Sequence, residues 1–124
     1  MASGNMDERR GDKRIEVAMV AVVLARHNAA TSMTIESLSL SGARLAGPGT
    51  FESNEHVHIL FEIAGGPVEV LGEVVRVEHR DMTTDAIAVR FISLDDDHRE
   101  AIGELVRRGL DLEEERLARE LEDE

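Results

Sequence analysis

The chain has 124 residues, the length of a single domain. Its 26 acidic residues against 14 basic ones leave a formal charge of -12, which speaks against a nucleic-acid polymer as partner, because phosphate attraction needs a basic face. There is no cysteine, so disulfides and thiolate zinc sites are excluded, and Phe51, Phe61 and Phe91 are the only aromatic residues, so the core must be aliphatic.

Residues 1–14 read as a flexible N-terminal arm, polar and with Gly4 and Gly11. Four cations crowd its end: Arg9, Arg10, Lys13 and Arg14. Residues 15–25 follow as a Val-rich strand, with Ile15, Val17, Met19, Ala21 and Val23 on one parity. Residues 27–32 read as a turn and 33–40 as a second strand. There Ser37, Ser39 and Ser41 share one parity while Leu38 and Leu40 take the other. Gly42 permits a tight bend, residues 43–46 form a short strand, and Gly47-Pro48-Gly49 is a loop. Residues 57–63 are a clear strand, reversed at Gly65-Gly66-Pro67 into residues 68–79, where Gly72 marks a bulge. A turn over 81–85 leads to a last strand over 86–92.

Six strands with short connections predict an antiparallel sheet closed into a small barrel. The period then changes. Residues 95–108 predict a helix with acids at its start, Arg107 and Arg108 at its end, and a buried stripe of Ile102, Leu105 and Val106. Gly109 is its expected stop, and residues 111–124 form a separate acidic helix, apolar at Leu117, Ala118 and Leu121. The expected organisation is thus an arm (1–14), a barrel with its helix (15–110) and an acidic terminal helix (111–124).

The longest apolar run, from Val17 to Ala25, is well short of the ~20 residues that span a bilayer. Asp7, Glu8, Asp12 and Glu16 flank it, which argues against a secretory leader. No membrane insertion is expected, and the cytoplasm is the expected compartment.

Arg10 and Arg14 carry planar, permanently charged forks that match phosphate oxygens or the two acceptors on guanine's Hoogsteen edge. A solvated basic arm is the plain alternative. Three small hydroxyls on one strand face are costly to bury without partners, so that face is expected to meet solvent or a ligand. Together the two features suggest a site for a small, anionic, guanine-bearing ligand.

In order and separation these segments resemble the PilZ domain. Its pattern opens with an arginine-rich entry, here Glu8-Arg9-Arg10-Gly11-Asp12-Lys13-Arg14-Ile15 with Arg10 and Arg14 as the Arg-x-x-x-Arg pair. An Asp/Asn-x-Ser-x-x-Gly stretch follows, here Ser37-Leu38-Ser39-Leu40-Ser41-Gly42-Ala43. The segments Gly72-Glu73-Val74-Val75-Arg76-Val77 and Ile87-Ala88-Val89-Arg90-Phe91 are also similar, and the likeness runs from about residue 8 to 108. The resemblance implies a six-stranded antiparallel barrel with a terminal helix, binding bacterial cyclic di-GMP. It assigns phosphate clamping and guanine stacking to Arg10 and Arg14, with Arg9 assisting, a guanine-edge hydrogen bond to Ser39, and a backbone bend to Gly42. Ligand binding would order the arm over the barrel and change the surface offered to a protein effector.

One position departs from the pattern. Ser37 stands where the family has Asp or Asn, and a hydroxyl cannot accept two bonds from guanine's Watson–Crick edge. The carboxylate of Glu36 is adjacent, but strand alternation points it to the opposite face unless a bulge intervenes. Losing a charge-assisted contact costs ~1.5–3 kcal/mol, so weakened binding is expected. A barrel serving only as a protein adaptor in motility or secretion is the second reading.

The remaining features point to ordinary roles. His56 and His58 share a strand face without a third metal ligand, Asp95-Asp96-Asp97 suits helix capping better than calcium, and no nucleophile and base are paired. No catalytic residue, metal or cofactor is expected.

Overall fold

The alternation of apolar residues gives each strand one face for an interior and one for water. In the computed structural model, which describes residues 13–25, 28–64 and 66–122, six strands use that pattern to enclose a core. They are β1 (Ile15–Ala25), β2 (Asn28–Leu38), β3 (Gly42–Pro48), β4 (His56–Ile63), β5 (Gly66–His79) and β6 (Thr84–Ser93). All neighbours are antiparallel, in the closed order β1-β2-β3-β6-β5-β4, with β1 pairing β4 to complete the ring. Closure leaves no open edge strand. Val23, Met33, Ile35, Leu38, Leu45, Ile59, Val70, Val74 and Ile87 fill the interior.

The strands are longer than the sequence suggests. β2 begins at Asn28, inside the expected turn over 27–32, and β3 continues through Gly47 and Pro48, pairing with Asp85 and Thr84. The turn before β6 is correspondingly shorter. The Asp81 carboxylate accepts hydrogen bonds from the Thr83 and Thr84 amides at 2.8 Å each, which holds its pKa below the usual range. Gly72 does lie at an irregularity: its pair is Phe91, while the preceding Leu71 pairs with Ser93, so β6 carries the extra residue. A Cβ on Gly72 would meet the Val89 side chain at 2.3 Å.

One helix follows, α1 (Asp96–Glu122), where two were expected. Asp95 caps it, accepting from the Asp97 amide through its side chain and from the Arg99 amide through its carbonyl. Ile102 and Val106 are buried against the barrel, with Leu105 and Leu110 partly so. Gly109 does not stop the helix. Its absent side chain lets α1 approach β1, because a Cβ there would stand 2.9 Å from Ile15. A helical glycine costs ~1 kcal/mol relative to alanine, which this close approach offsets. Beyond it the helix leaves the barrel: Leu112, Leu117 and Leu121 are exposed. Among the described residues, no helix is long and apolar enough to cross a membrane.

Candidate functional site

The site is built where β1 begins and β2 turns into β3. Lys13 and Arg14 are exposed and precede β1 without regular structure. Arg9 and Arg10, with the rest of residues 1–12, lie outside the described residues. Arg14 is placed by Ile15, which is buried in the core against Gly109, so the chain enters the barrel at a fixed point. From there its guanidinium donates to the Ser37 hydroxyl at 3.2 Å. That bond joins the two halves of the pattern across 23 residues. Ser37 is nearly buried and lies in a cross-strand row with Glu16 on β1 and Arg44 on β3.

The three serines do not line one wall. β2 ends at Leu38, and Ser39 to Gly42 form the reversal into β3. The Ser39 side chain, fully buried, holds that turn together: its hydroxyl accepts from the Gly42 amide at 3.1 Å and the Ser41 amide at 3.3 Å, and donates to the Gly42 carbonyl at 3.2 Å. Ser41 is exposed. Gly42 serves less as a bend than as a clearance. A Cβ there would stand 2.3 Å from the Val89 carbonyl oxygen on β6, so only glycine lets the strands meet. The Ser41 carbonyl then accepts the Phe91 amide at 2.8 Å.

A register shift explains the broken alternation. Ile35 pairs with Leu45 and Ser37 with Arg44, leaving Glu36 as an extra residue on β2. The core-facing parity passes from Met33 and Ile35 to Leu38 across it. The sequence carried this signal in the change of parity between Ile35 and Leu38. The bulge sends Glu36 outward with Ser37, where its carboxylate accepts from Arg80 at 2.7 Å through each oxygen and lies 3.8 Å from Arg44. Arg44 also bonds Glu78 at 2.8 Å. The Arg80 hydrogen bonds hold Glu36 below the usual carboxylate range. Strand alternation in the sequence predicts neither an outward Glu36 nor the part of Arg44.

Elsewhere His56 and His58 are exposed and face Glu73 at 3.7 Å and Glu69 at 3.6 Å. Among the described residues, no three potential metal ligands come together.

A family model described as the PilZ domain matches residues 8–108. The chain belongs to the PilZ domain family. Solved structures agree on the fold. This PilZ domain is similar to the PilZ domain with c-di-GMP of YcgR from Escherichia coli, with a TM-score of 0.67 and 18% identity, over 94% of this chain and 98% of that one. It also resembles the Bacillus subtilis inhibitor of motility MotI/DgrA, with a TM-score of 0.68 and 14% identity, over 83% of this chain and 52% of that one. A third similar structure is the Borreliella burgdorferi PlzA protein in complex with c-di-GMP, with a TM-score of 0.61 and 15% identity, over 83% of this chain and 45% of that one. The PilZ domain therefore spans about half the length of MotI/DgrA and of PlzA. Compared by sequence with curated proteins, the chain has no significant match.

Proposed function

We propose that this PilZ domain is a non-enzymatic receptor for cyclic di-GMP that orders its basic arm on binding and thereby signals to a protein effector. The observation that carries the reading is the Arg14–Ser37 bond, because it sets one motif guanidinium on the second motif at the barrel's outer surface. Arg14 and, from the arm, Arg9 and Arg10 would clamp phosphates and stack on guanine. Ser37 supplies a hydroxyl beside them. Ser39 and Gly42 act through the turn they build rather than by lining a wall. YcgR and PlzA are similar folds whose structures contain c-di-GMP, which supports the ligand class. Arm ordering changes the exposed surface, and that change is the signal.

A second reading is favoured by Ser37 itself. It is neutral, nearly buried and already taken by Arg14, where the pattern carries Asp or Asn. In that reading the domain is an adaptor that binds protein partners without the nucleotide. Calorimetric titration with cyclic di-GMP separates the two. The receptor reading expects binding by the wild type, loss in Arg10→Ala and Arg14→Ala, and tightening of roughly tenfold or more in Ser37→Asp. Four proteins that all fail to bind would favour the adaptor.

A further inference from the structure

The bulge in β2 gives Glu36 a position that strand alternation denies it. Its carboxylate lies 3.8 Å from Nε of Arg44, the cross-strand partner of Ser37. It therefore sits on the same outer face as Ser37, one residue from where the family pattern places Asp or Asn. What grips it is informative. Arg80 donates Nη1–H to Oε2 and Nη2–H to Oε1, each at 2.7 Å. This is the fork-to-fork arrangement of guanidinium and carboxylate. The N1, C2 and N2 atoms of guanine are themselves a guanidine unit, a planar carbon bearing two parallel N–H donors. Arg80 thus offers Glu36 the donor pattern of guanine's Watson–Crick edge.

We infer that Glu36 is the guanine-reading carboxylate of this barrel, taking the part of the absent motif Asp or Asn, and that Arg80 exchanges with the base edge on binding. The inference rests on the cyclic di-GMP reading above. The exchange needs no opening of the core, because the Glu36 and Arg80 side chains are 34% and 35% exposed, and the base edge replaces the two bonds that Arg80 gives up with two of the same geometry. In the free domain Arg80 holds Glu36 below the usual carboxylate range, so the group that meets the ligand is an ionised carboxylate able to accept two bonds. The freed Arg80 stays beside a ligand with two negative phosphates. Arg14 on Ser37 and Glu36 next to Arg44 would then address the ligand's phosphate and its base from neighbouring positions on β2.

Base selectivity tests this directly. Wild type, Glu36→Gln and Glu36→Gln/Ser37→Asp are titrated with cyclic di-GMP and with its inosine counterpart, cyclic di-IMP, which lacks the 2-amino donor. Wild type should prefer the guanine ligand about tenfold or more. Glu36→Gln should lose most of that preference, and Ser37→Asp in the same background should restore it. Arg80→Lys, which keeps the charge but not the fork, should bind cyclic di-GMP more tightly; weaker binding would overturn the exchange. A wild type that binds while Glu36→Gln keeps its full preference overturns the role of Glu36 and leaves the receptor reading intact. A wild type that binds neither ligand overturns both.

Discussion

Gly42→Ala tests whether the turn beside the site depends on the close meeting of β3 and β6. The added Cβ would stand 2.3 Å from the Val89 carbonyl oxygen and 3.3 Å from its carbonyl carbon. A carbon and a carbonyl oxygen in ordinary contact sit roughly 3.3 Å apart, so the strands must separate by about 1 Å. Both obstacles are backbone, and neither can swing aside. The hydrogen bond from the Phe91 amide to the Ser41 carbonyl, now 2.8 Å, would stretch to the limit of a useful contact. Overpacking strain of about 1–3 kcal/mol and a lost hydrogen bond of about 1 kcal/mol give a total of about 2–4 kcal/mol. For a chain of this size the melting temperature should fall by about 10 °C, read by circular dichroism. Gly103→Ala is the matched control. Its Cβ would touch only the Leu40 side chain at 3.4 Å, and helix propensity should raise stability by up to ~1 kcal/mol. A Gly42→Ala protein melting within about 2 °C of wild type would refute the clearance argument.

Further outcomes follow from burial and charge. Glu36 and Asp81 have pKa values lowered from 4.5 and 3.8 by their hydrogen bonds, so their stabilisation is present above those values and lost as pH falls through the lower folded ones. Urea midpoints measured between about pH 5 and pH 3 should therefore fall less steeply in Glu36→Gln and Asp81→Asn than in wild type; parallel slopes would contradict this. Among the described residues, those from 112 to 121 are all exposed, Leu112, Leu117 and Leu121 included, so removal of residues 112–124 should leave the melting temperature within a few degrees. A large loss would mean that the outer helix supports the barrel.

The elements with regular alternation were legible in the sequence. Residues 57–63 and 68–79 announce themselves by period-2 burial, with a glycine-rich reversal between them, and Ile102 and Val106 by helical spacing. The two motifs, far apart in sequence, meet in space through Arg14 and Ser37. What could not be read was whatever depends on a neighbouring strand. Alternation alone puts Ser37, Ser39 and Ser41 in one row, but β2 ends at Leu38, so Ser37 faces outward from the strand while Ser39 is buried in the turn, where its hydroxyl meets that of Ser41 at 3.3 Å. Gly109 and Gly42 look locally like a stop and a bend. Only the positions of Ile15 and Val89, distant in sequence, show that each clears room for a packed partner. The turn expected over 81–85 is shorter in the structure, because pairing with β3 extends β6 to Thr84.

The most direct test of the central claim is to follow backbone amide resonances of the isotopically labelled chain during titration with cyclic di-GMP. The account predicts saturable shifts at Arg14 to Glu16, at Glu36 to Arg44 and at Arg80, with the β4–β5 reversal around Gly66 left unmoved. A spectrum that does not change at high ligand, or changes centred on the exposed faces of β4 and β5, would contradict it.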